Sequence, residues 1–223
     1  MKFKAYFKPA IGMLFLIVSF SIAVEGQGTR NPFDGLKHEH MVNTLQDFKH
    51  RPGRWNVPAI DGRLLYDIIK KNGYQRVLEI GTSNGYSGLW MGFALKETGG
   101  HLITLEINEQ RAKEARNNFK EAGLASVIEV RLNDARKEIP HLSGNFDFIF
   151  LDADKSEYLH YYKMLKPRLH LGGAISAHNV TNMEYSMEDF LQAIRNDKAF
   201  EVKVYEASNQ GILVATKKTE AGR

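Results

Sequence analysis

The sequence predicts an α/β fold in which a mostly parallel, doubly wound sheet ends in an antiparallel hairpin. Three observations support this fold class. Strand-like and helix-like patterns alternate through most of the chain, the last two strand-like patterns follow each other without a helix, and 43% of the 223 residues are hydrophobic. Such alternation is typical of right-handed βαβ units around a parallel sheet. The hydrophobic content is sufficient for a large buried core.

Each element is predicted from the spacing of its apolar residues. Two initial helices are expected at 36–49 and 58–71, and Pro58 suits the first turn of the second. Seven strands are expected at 76–80, 102–106, 127–132, 146–151, 174–177, 201–205 and 212–216. Further helices are expected at 86–96, 109–122, 157–169 and 187–196. The short polar loop 206–211 joins the last two strands and predicts a hairpin.

Residues 1–30 differ in composition from the rest of the chain. Three lysines lie within the first eight residues, and residues 10–24 carry no charge. A basic start before a short apolar run is typical of a secretory signal peptide, which we predict over residues 1–23. A retained signal-anchor and a buried first helix are the alternatives, since a bilayer span needs about 20 apolar residues. We expect an exported protein, periplasmic or secreted, or one tethered to the membrane through this segment alone.

Most of the excess of basic over acidic residues lies in this leader. Thirty basic and 26 acidic side chains give a formal charge of +4. Cleavage after Ala23 would remove three lysines and no acid, leaving 27 basic against 26 acidic side chains and a charge of +1. No nucleic-acid partner is therefore expected. The absence of cysteine excludes disulfides, thiolate metal sites and a cysteine nucleophile. Beyond the leader we predict a helical segment at 24–54 and one domain at 55–223.

Residues suited to a nucleoside-type cofactor follow the first three strands. Gly81 and Gly85 lie in the turn after the first strand, where glycine permits close approach of a ligand. Glu106 ends the second strand, where a carboxylate can accept both hydroxyls of a ribose, and Asp134 with Ala135 follows the third. The glycine spacing, G-x-x-x-G-x-x-G, differs from the dinucleotide fingerprint G-x-G-x-x-G and disfavours a nicotinamide dehydrogenase.

These motifs resemble those of a known enzyme family. The segments EIGTSNGYS at 79–87 and NDA at 133–135, with Glu106, are similar to the binding loops of S-adenosylmethionine-dependent methyltransferases. LDADKSEY at 151–158 and NVPAIDG at 56–62 resemble the small cation-dependent O-methyltransferases of the catechol and caffeoyl-CoA type. The resemblance extends over most of the chain after the leader and implies a Rossmann-like sheet.

The resemblance also implies an activity and a set of site residues. The expected reaction moves a methyl group from S-adenosylmethionine to a hydroxyl of a small catechol-like or phenolic acceptor, assisted by a divalent cation, Mg²⁺ or Mn²⁺. Asp152 matches the first metal carboxylate and Lys155 the general base. A homodimer is expected. The implied cofactor contacts are Val57, Glu79, Gly81, Ser83, Gly85, Ser87, Glu106, Asp134, Ala135 and Asp152.

The end of the fifth strand departs from the family pattern. Related enzymes carry Asp-Asn there, both binding the metal, whereas this chain has His178 and Asn179. Three interpretations remain open. His178 ligates as a neutral imidazole and shifts the preference toward a softer metal than Mg²⁺. Alternatively, His178 serves as a base beside a weakly held metal. In the third, the metal site is degraded and the protein binds S-adenosylmethionine without catalysis.

The acceptor is expected beside the short segment 181–187. Related enzymes have a loop there that gates the acceptor, and its shortness favours a small phenol over a bulky thioester conjugate. Trp55, Met183 and Tyr185 are the candidate apolar walls.

Overall fold

The computed structural model describes residues 31–50 and 56–219, which form a seven-stranded sheet between helices. The strand order is β3-β2-β1-β4-β5-β7-β6, and β7 is the one strand of this sheet that runs opposite to the other six. The mostly parallel sheet with an antiparallel carboxyl-terminal strand confirms the predicted fold class. The strands are β1 Arg76–Ile80, β2 His101–Glu106, β3 Ile128–Leu132, β4 Phe146–Leu151, β5 Leu169–His178, β6 Phe200–Tyr205 and β7 Ile212–Lys217.

Seven α-helices accompany the described part of the sheet. Asn108 caps the fourth by accepting a hydrogen bond from the backbone of Arg111, a common start for a helix after a strand. The helices are α1 Glu39–His50, α2 Ala59–Asn72, α3 Tyr86–Thr98, α4 Glu109–Glu121, α5 Ala135–Glu138, α6 Tyr158–Leu165 and α7 Glu188–Asn196.

Two hydrophobic clusters cover the two faces of the sheet, and each cluster includes a different group of helices. One cluster joins the strands to α1–α4 and includes Leu45, Leu65 and Phe119. The other joins them to α5–α7 and includes Tyr162 and Phe190. A parallel sheet needs this double cover because its strands carry apolar side chains on both faces. The covered sheet fixes the strand ends, where the polar residues lie.

The structure corrects the prediction around the fifth strand. The predicted helix 157–169 ends at Leu165, and β5 begins at Leu169, five residues before the predicted start at 174. The register explains the discrepancy: Leu169 pairs with Phe146 and Ala174 with Phe148, so β5 contains a bulge. The glycines of this bulge interrupt the apolar pattern by which a strand is recognised.

Most other predicted bounds agree closely with the structure, and one short helix was not predicted. The bounds of β1 and β4 are those predicted, whereas α1 begins three residues later than expected. The four-residue helix α5 was missed because a single turn carries no periodicity. The predicted signal peptide and Trp55 lie outside the described residues. Within 31–50 and 56–219, no helix is long and apolar enough to cross a membrane.

Candidate functional site

The carboxyl ends of four neighbouring strands bring the predicted site residues together. Ile80 pairs with Leu105 on one side and with Leu151 on the other, and Leu151 pairs in turn with Ala177. The residues that follow these strand ends therefore lie along one edge of the sheet. Ligands of open α/β sheets bind at this edge.

The turn after β1 has a backbone that requires glycine. Gly81 has φ 99° and Gly85 has φ 93°, both in the left-handed region, and Ser83 joins them there with φ 50°. A Cβ on Gly81 would collide with the backbone carbonyl of Asp152. The turn is therefore packed directly against the chain that leaves β4, which ties the predicted cofactor loop to the predicted metal carboxylate.

Glu79 anchors this turn from inside the protein. Its side chain is fully buried, and its two carboxylate oxygens accept hydrogen bonds from Ser87 Oγ at 2.5 Å and Thr104 Oγ1 at 2.6 Å. Burial raises the pKa of Glu79 to about 8, although the two hydroxyl groups act in the opposite direction. Ser87 and Glu79, both predicted cofactor contacts, thus bind each other, and a direct role at the cofactor stays a prediction.

Glu106 joins the turn to the end of β2. Its Oε2 accepts the backbone N–H of Ser83 at 2.8 Å, and its Oε1 accepts the backbone N–H of Asn108 at 2.9 Å. Each carboxylate oxygen has two acceptor positions, so one on each oxygen remains for a ligand hydroxyl. The arrangement is suited to holding two vicinal hydroxyls of a ribose.

Asp134 and Ala135 have structural roles in addition to their predicted one. Asp134 caps α5 by accepting the backbone N–H of Arg136, and it pairs with the Arg136 guanidinium at 2.7 Å. These contacts lower the pKa of Asp134 to about 2. Ala135 is buried against the second core cluster. Val57, another predicted cofactor contact, is buried in the first cluster.

Asp152 and Lys155 form a partly buried ion pair directly after β4. Lys155 Nζ lies 2.8 Å from Asp152 Oδ1 and donates to the hydroxyl of Tyr158 at 2.9 Å. The Tyr158 hydroxyl donates in turn to the carbonyl of Leu151. Burial would raise the pKa of Asp152, but contact with His178 and the charge of Lys155 outweigh it and lower the pKa. Asp152 is therefore a carboxylate at neutral pH.

His178 ends β5 between two carboxylates. Its Nδ1 lies 3.3 Å from Asp152 Oδ2, without the geometry of a hydrogen bond, and its Nε2 lies 3.1 Å from Asp61 Oδ2. Burial would lower the pKa of His178, but the contacts with both carboxylates outweigh burial and raise the pKa to about 9. A cation that binds this ring must therefore displace a proton at neutral pH.

Asn179 turns the chain away from β5 in a backbone conformation that Asn tolerates better than most residues. Its φ is 63°, and its Nδ2 donates to Asn182 Oδ1 at 3.1 Å and Gln210 Oε1 at 3.4 Å. Because these contacts use the amide N–H groups, the amide oxygen is the atom that can face a cation.

The structure brings two of the three predicted metal ligands, Asp152 and His178, together at this edge. In the part of the chain that the structure describes, no group of three or more His, Asp or Glu side chains is arranged to hold a metal. Asp152 and His178 nevertheless converge, and the Nδ1 of His178 is buried without a hydrogen-bond partner. A carboxylate, an imidazole and an amide oxygen such as that of Asn179 are donor types that suit Mn²⁺ and softer ions.

Three residues that contact this edge were not among the predicted site residues: Asp61, Ser208 and Gln210. Asp61 did carry a signal, because it lies four residues before Leu65 on the apolar face of α2, where a charge needs a partner. Ser208 and Gln210 lie in the hairpin loop between β6 and β7, where polar residues are ordinary. Only the folded sheet reveals their proximity to β5.

Two of the three candidate acceptor walls, Met183 and Tyr185, lie on the surface. Tyr185 is almost fully exposed and Met183 is 40% exposed. Tyr185 and Ser156, the residue after Lys155, line an open depression of about 470 Å³. Tyr185 thus lies near the turn that carries Lys155, and acceptor contacts of Met183 and Tyr185 stay predictions.

Sequence comparison relates the chain to methyl-transferring enzymes. The sequence model described as O-methyltransferase matches residues 36–204. A catechol O-methyltransferase of Niastella koreensis is 40% identical over 133 residues, which cover 56% of this chain and 60% of that protein. Caffeoyl-CoA O-methyltransferase 1 of Zea mays is 34% identical over 134 residues, which cover 56% of this chain and 52% of that protein. The chain thus spans about half to six-tenths of the length of these curated relatives.

Structure comparison extends the similarity over most of the chain. An O-methyltransferase of Bacillus cereus in complex with SAH superposes with a TM-score of 0.72 at 25% identity, covering 82% of this chain and 92% of that one. An O-methyltransferase of Streptomyces achromogenes in complex with SAM has a TM-score of 0.69 at 23% identity, with the same coverages, and shows likeness of fold.

Proposed function

The chain belongs to the O-methyltransferase family, and we propose that it moves a methyl group from S-adenosylmethionine to a hydroxyl of a small catechol-like or phenolic acceptor. Family membership rests on the match over residues 36–204. The relatives' names, which include catechol and caffeoyl-CoA O-methyltransferases, support the acceptor class. We also propose that a divalent cation assists the reaction and that the enzyme is a homodimer.

One structural observation carries this proposal: the predicted cofactor loop and the predicted catalytic pair touch. Gly81 lies against the backbone of Asp152, and Asp152 binds Lys155 at 2.8 Å. A methyl donor held between Gly81 and Glu106 would therefore lie beside the carboxylate and amine that act on the acceptor. Such proximity lowers the entropic cost of a bimolecular displacement.

Lys155 is proposed to accept the proton that the acceptor hydroxyl loses. To act as a base, Lys155 must first give up the proton of its ion pair with Asp152, which a cation bound at Asp152 would favour. The hydroxyl proton then passes to the neutral amine as the oxygen–methyl bond forms and the sulfur–methyl bond of the donor breaks. Tyr158 and Asp152 hold the Lys155 side chain in one position.

Asp152, His178 and Asn179 are proposed to hold the cation. The cation would supply positive charge that favours the deprotonated acceptor hydroxyl. An imidazole in place of a second carboxylate favours Mn²⁺ or a softer ion over Mg²⁺.

The test is transfer of a labelled methyl group from S-adenosylmethionine to a panel of catechols and monophenols. We expect transfer to catechols with Mn²⁺ and loss of transfer when a chelator is added. Transfer that a chelator leaves unchanged would overturn the proposed role of the cation. Cofactor binding without transfer to any acceptor or with any metal would overturn the proposed activity.

A second candidate is a non-catalytic protein that binds S-adenosylmethionine. It is favoured by the position of His178 between Asp61 and Asp152, where a protonated ring would direct one N–H at each carboxylate without a metal. Calorimetry with Mn²⁺ separates the candidates, because the catalytic proposal requires binding and this alternative does not.

We further propose that the protein is exported or membrane-tethered through residues 1–23. The basic start and the uncharged run of the sequence support this proposal. Mass measurement of the protein from its native host tests it: loss of the first 23 residues is expected for export, and an intact chain in the soluble fraction would contradict both alternatives.

A further inference from the structure

A buried chain of hydrogen bonds connects three distant segments behind His178. Asp61 on α2 is fully buried, and its Oδ2 contacts both His178 Nε2 at 3.1 Å and Ser208 Oγ at 2.6 Å. Ser208 lies in the loop between β6 and β7, 147 residues from Asp61. The proposed function assigns neither Asp61 nor Ser208 a role.

The chemistry of the partners fixes the direction of each hydrogen bond. The backbone N–H of Gln210 donates to Ser208 Oγ at 3.1 Å, so the hydroxyl proton of Ser208 is available for Asp61. Since a carboxylate oxygen accepts, Ser208 O–H and His178 Nε2–H both donate to Asp61 Oδ2. The proton of a neutral His178 ring is therefore held on Nε2.

In the neutral ring that a cation requires, the other nitrogen, Nδ1, is the lone-pair donor. His178 Nδ1 is buried, has no hydrogen-bond partner and lies 3.3 Å from Asp152 Oδ2. Metal-binding histidines commonly donate their second N–H to a carboxylate, which fixes the tautomer and the orientation of the ring. The contacts of Asp61 reproduce that arrangement on the side of the ring opposite Asp152.

We propose that Asp61 is a positioning residue, anchored by Ser208, that holds His178 with Nδ1 directed at a cation shared with Asp152. This inference rests on the proposed function because it presumes the cation. A carboxylate ligand has no tautomers and therefore needs no neighbour to select one. An imidazole has two tautomers, so a histidine ligand needs a partner that fixes which ring nitrogen carries the proton. A carboxylate at position 178 would instead face Asp61 with no proton between them.

The test is Mn²⁺ binding to the full-length protein, measured by calorimetry with Mn²⁺ alone. Asp61→Ala removes the acceptor and should weaken Mn²⁺ binding about 10- to 100-fold, whereas Asp61→Asn keeps an acceptor oxygen and should lose less. Asp67→Ala, which removes a partly exposed carboxylate on the same helix, is the matched control and should bind Mn²⁺ as the wild type does. Affinity for S-adenosylhomocysteine should stay within a few-fold in all variants.

Two further measurements keep the proposal testable if Asp61→Ala fails to fold. Ser208→Ala removes only the hydroxyl that anchors Asp61 and should weaken Mn²⁺ binding by a smaller factor. In the Zn²⁺-loaded, ¹⁵N-histidine-labelled wild type, NMR should show His178 protonated at Nε2 and metal-bound at Nδ1. A Zn²⁺-bound Nε2 would overturn the proposal.

The outcomes separate this inference from the proposed function. If the wild type binds Mn²⁺ and Asp61→Ala binds it equally well, the positioning role is wrong and the cation-assisted reaction stands. If the wild type binds no divalent cation, the cation-assisted reaction fails and the role of Asp61 fails with it.

Discussion

Ser83 donates its backbone N–H to Oε2 of Glu106 at 2.8 Å, which joins the glycine turn after β1 to the end of β2. The turn is thus held in its left-handed conformation by the carboxylate that is expected to bind the ribose. The site is organised by contacts within the protein, so cofactor binding need not bear the whole entropic cost of ordering the turn.

Glu106→Ala should weaken binding of S-adenosylhomocysteine. The change removes the ribose acceptor and the two backbone hydrogen bonds from Ser83 and Asn108. Each hydrogen bond to a charged group contributes about 1.5–3 kcal/mol, so the Kd should rise about 10- to 100-fold or more. Calorimetry measures the change, with Glu109→Ala, an exposed carboxylate at the start of α4, as control. An unchanged Kd would contradict the role of Glu106.

Lys155→Met should slow methyl transfer without loss of cofactor binding. A positioned base contributes about 10²- to 10⁴-fold to rate, so single-turnover transfer should slow by that range. Lys163→Met, an exposed lysine on α6, should leave the rate unchanged. Equal slowing in both variants, or none in Lys155→Met, would show that another group accepts the proton.

His178→Asp should restore use of Mg²⁺. A second carboxylate gives the hard oxygen donors that Mg²⁺ prefers. Since the new carboxylate would lie beside Asp61, the effect should be clearest in the double variant with Asp61→Asn. Transfer rates with Mg²⁺, with Mn²⁺ and with chelator are compared. No gain with any metal would mean that position 178 does not ligate.

Glu79→Gln should stabilise the protein increasingly as pH rises. The pKa of Glu79 in the folded protein is about 8, above the unfolded value near 4.5. Between about pH 4.5 and 8, the folded state therefore holds a proton that the unfolded state has lost. The contribution of this proton to the free energy of unfolding decreases as the pH rises through this range. The free-energy difference between Glu79→Gln and wild type should grow by about 1.4 kcal/mol per pH unit inside that window.

Urea unfolding at pH 5.5, 6.5 and 7.5 measures this difference. Glu109→Gln, at an exposed site, is the matched control and should not reproduce the trend. A constant difference between Glu79→Gln and wild type would mean that the burial of Glu79 is offset by its hydroxyl partners Ser87 and Thr104.

Gly81→Ala should destabilise the protein more than Gly99→Ala. Both glycines have a left-handed backbone, but a Cβ at Gly99 meets no atom within 4 Å, whereas one at Gly81 collides with Asp152. Backbone strain alone costs about 1 kcal/mol, and the collision should add at least as much again. Urea unfolding compares the two variants, and equal losses would contradict the close packing of the turn on β4.

The sequence was sufficient to predict the fold class, but it did not indicate every residue that meets at the candidate site. Strands such as β1 and β4 have uninterrupted apolar runs between turn residues, so their bounds could be read directly. The positions of residues at strand ends, such as Glu106 and Asp152, can be predicted from the topology. Asp61 and Ser208 could not be found in this way, because their role depends on a contact across 147 residues that no local pattern encodes.

The position of β7 has a consequence for folding. This strand is inserted between β5 and β6, and the loop before it carries Ser208 to Asp61. The hydrogen bond that anchors Asp61 therefore closes a loop through most of the described chain. Contacts between residues so far apart in sequence form slowly, because the chain must lose conformational entropy before the contact stabilises the folded state. During synthesis, the network around His178 stays incomplete until the last strand has left the ribosome and entered the sheet.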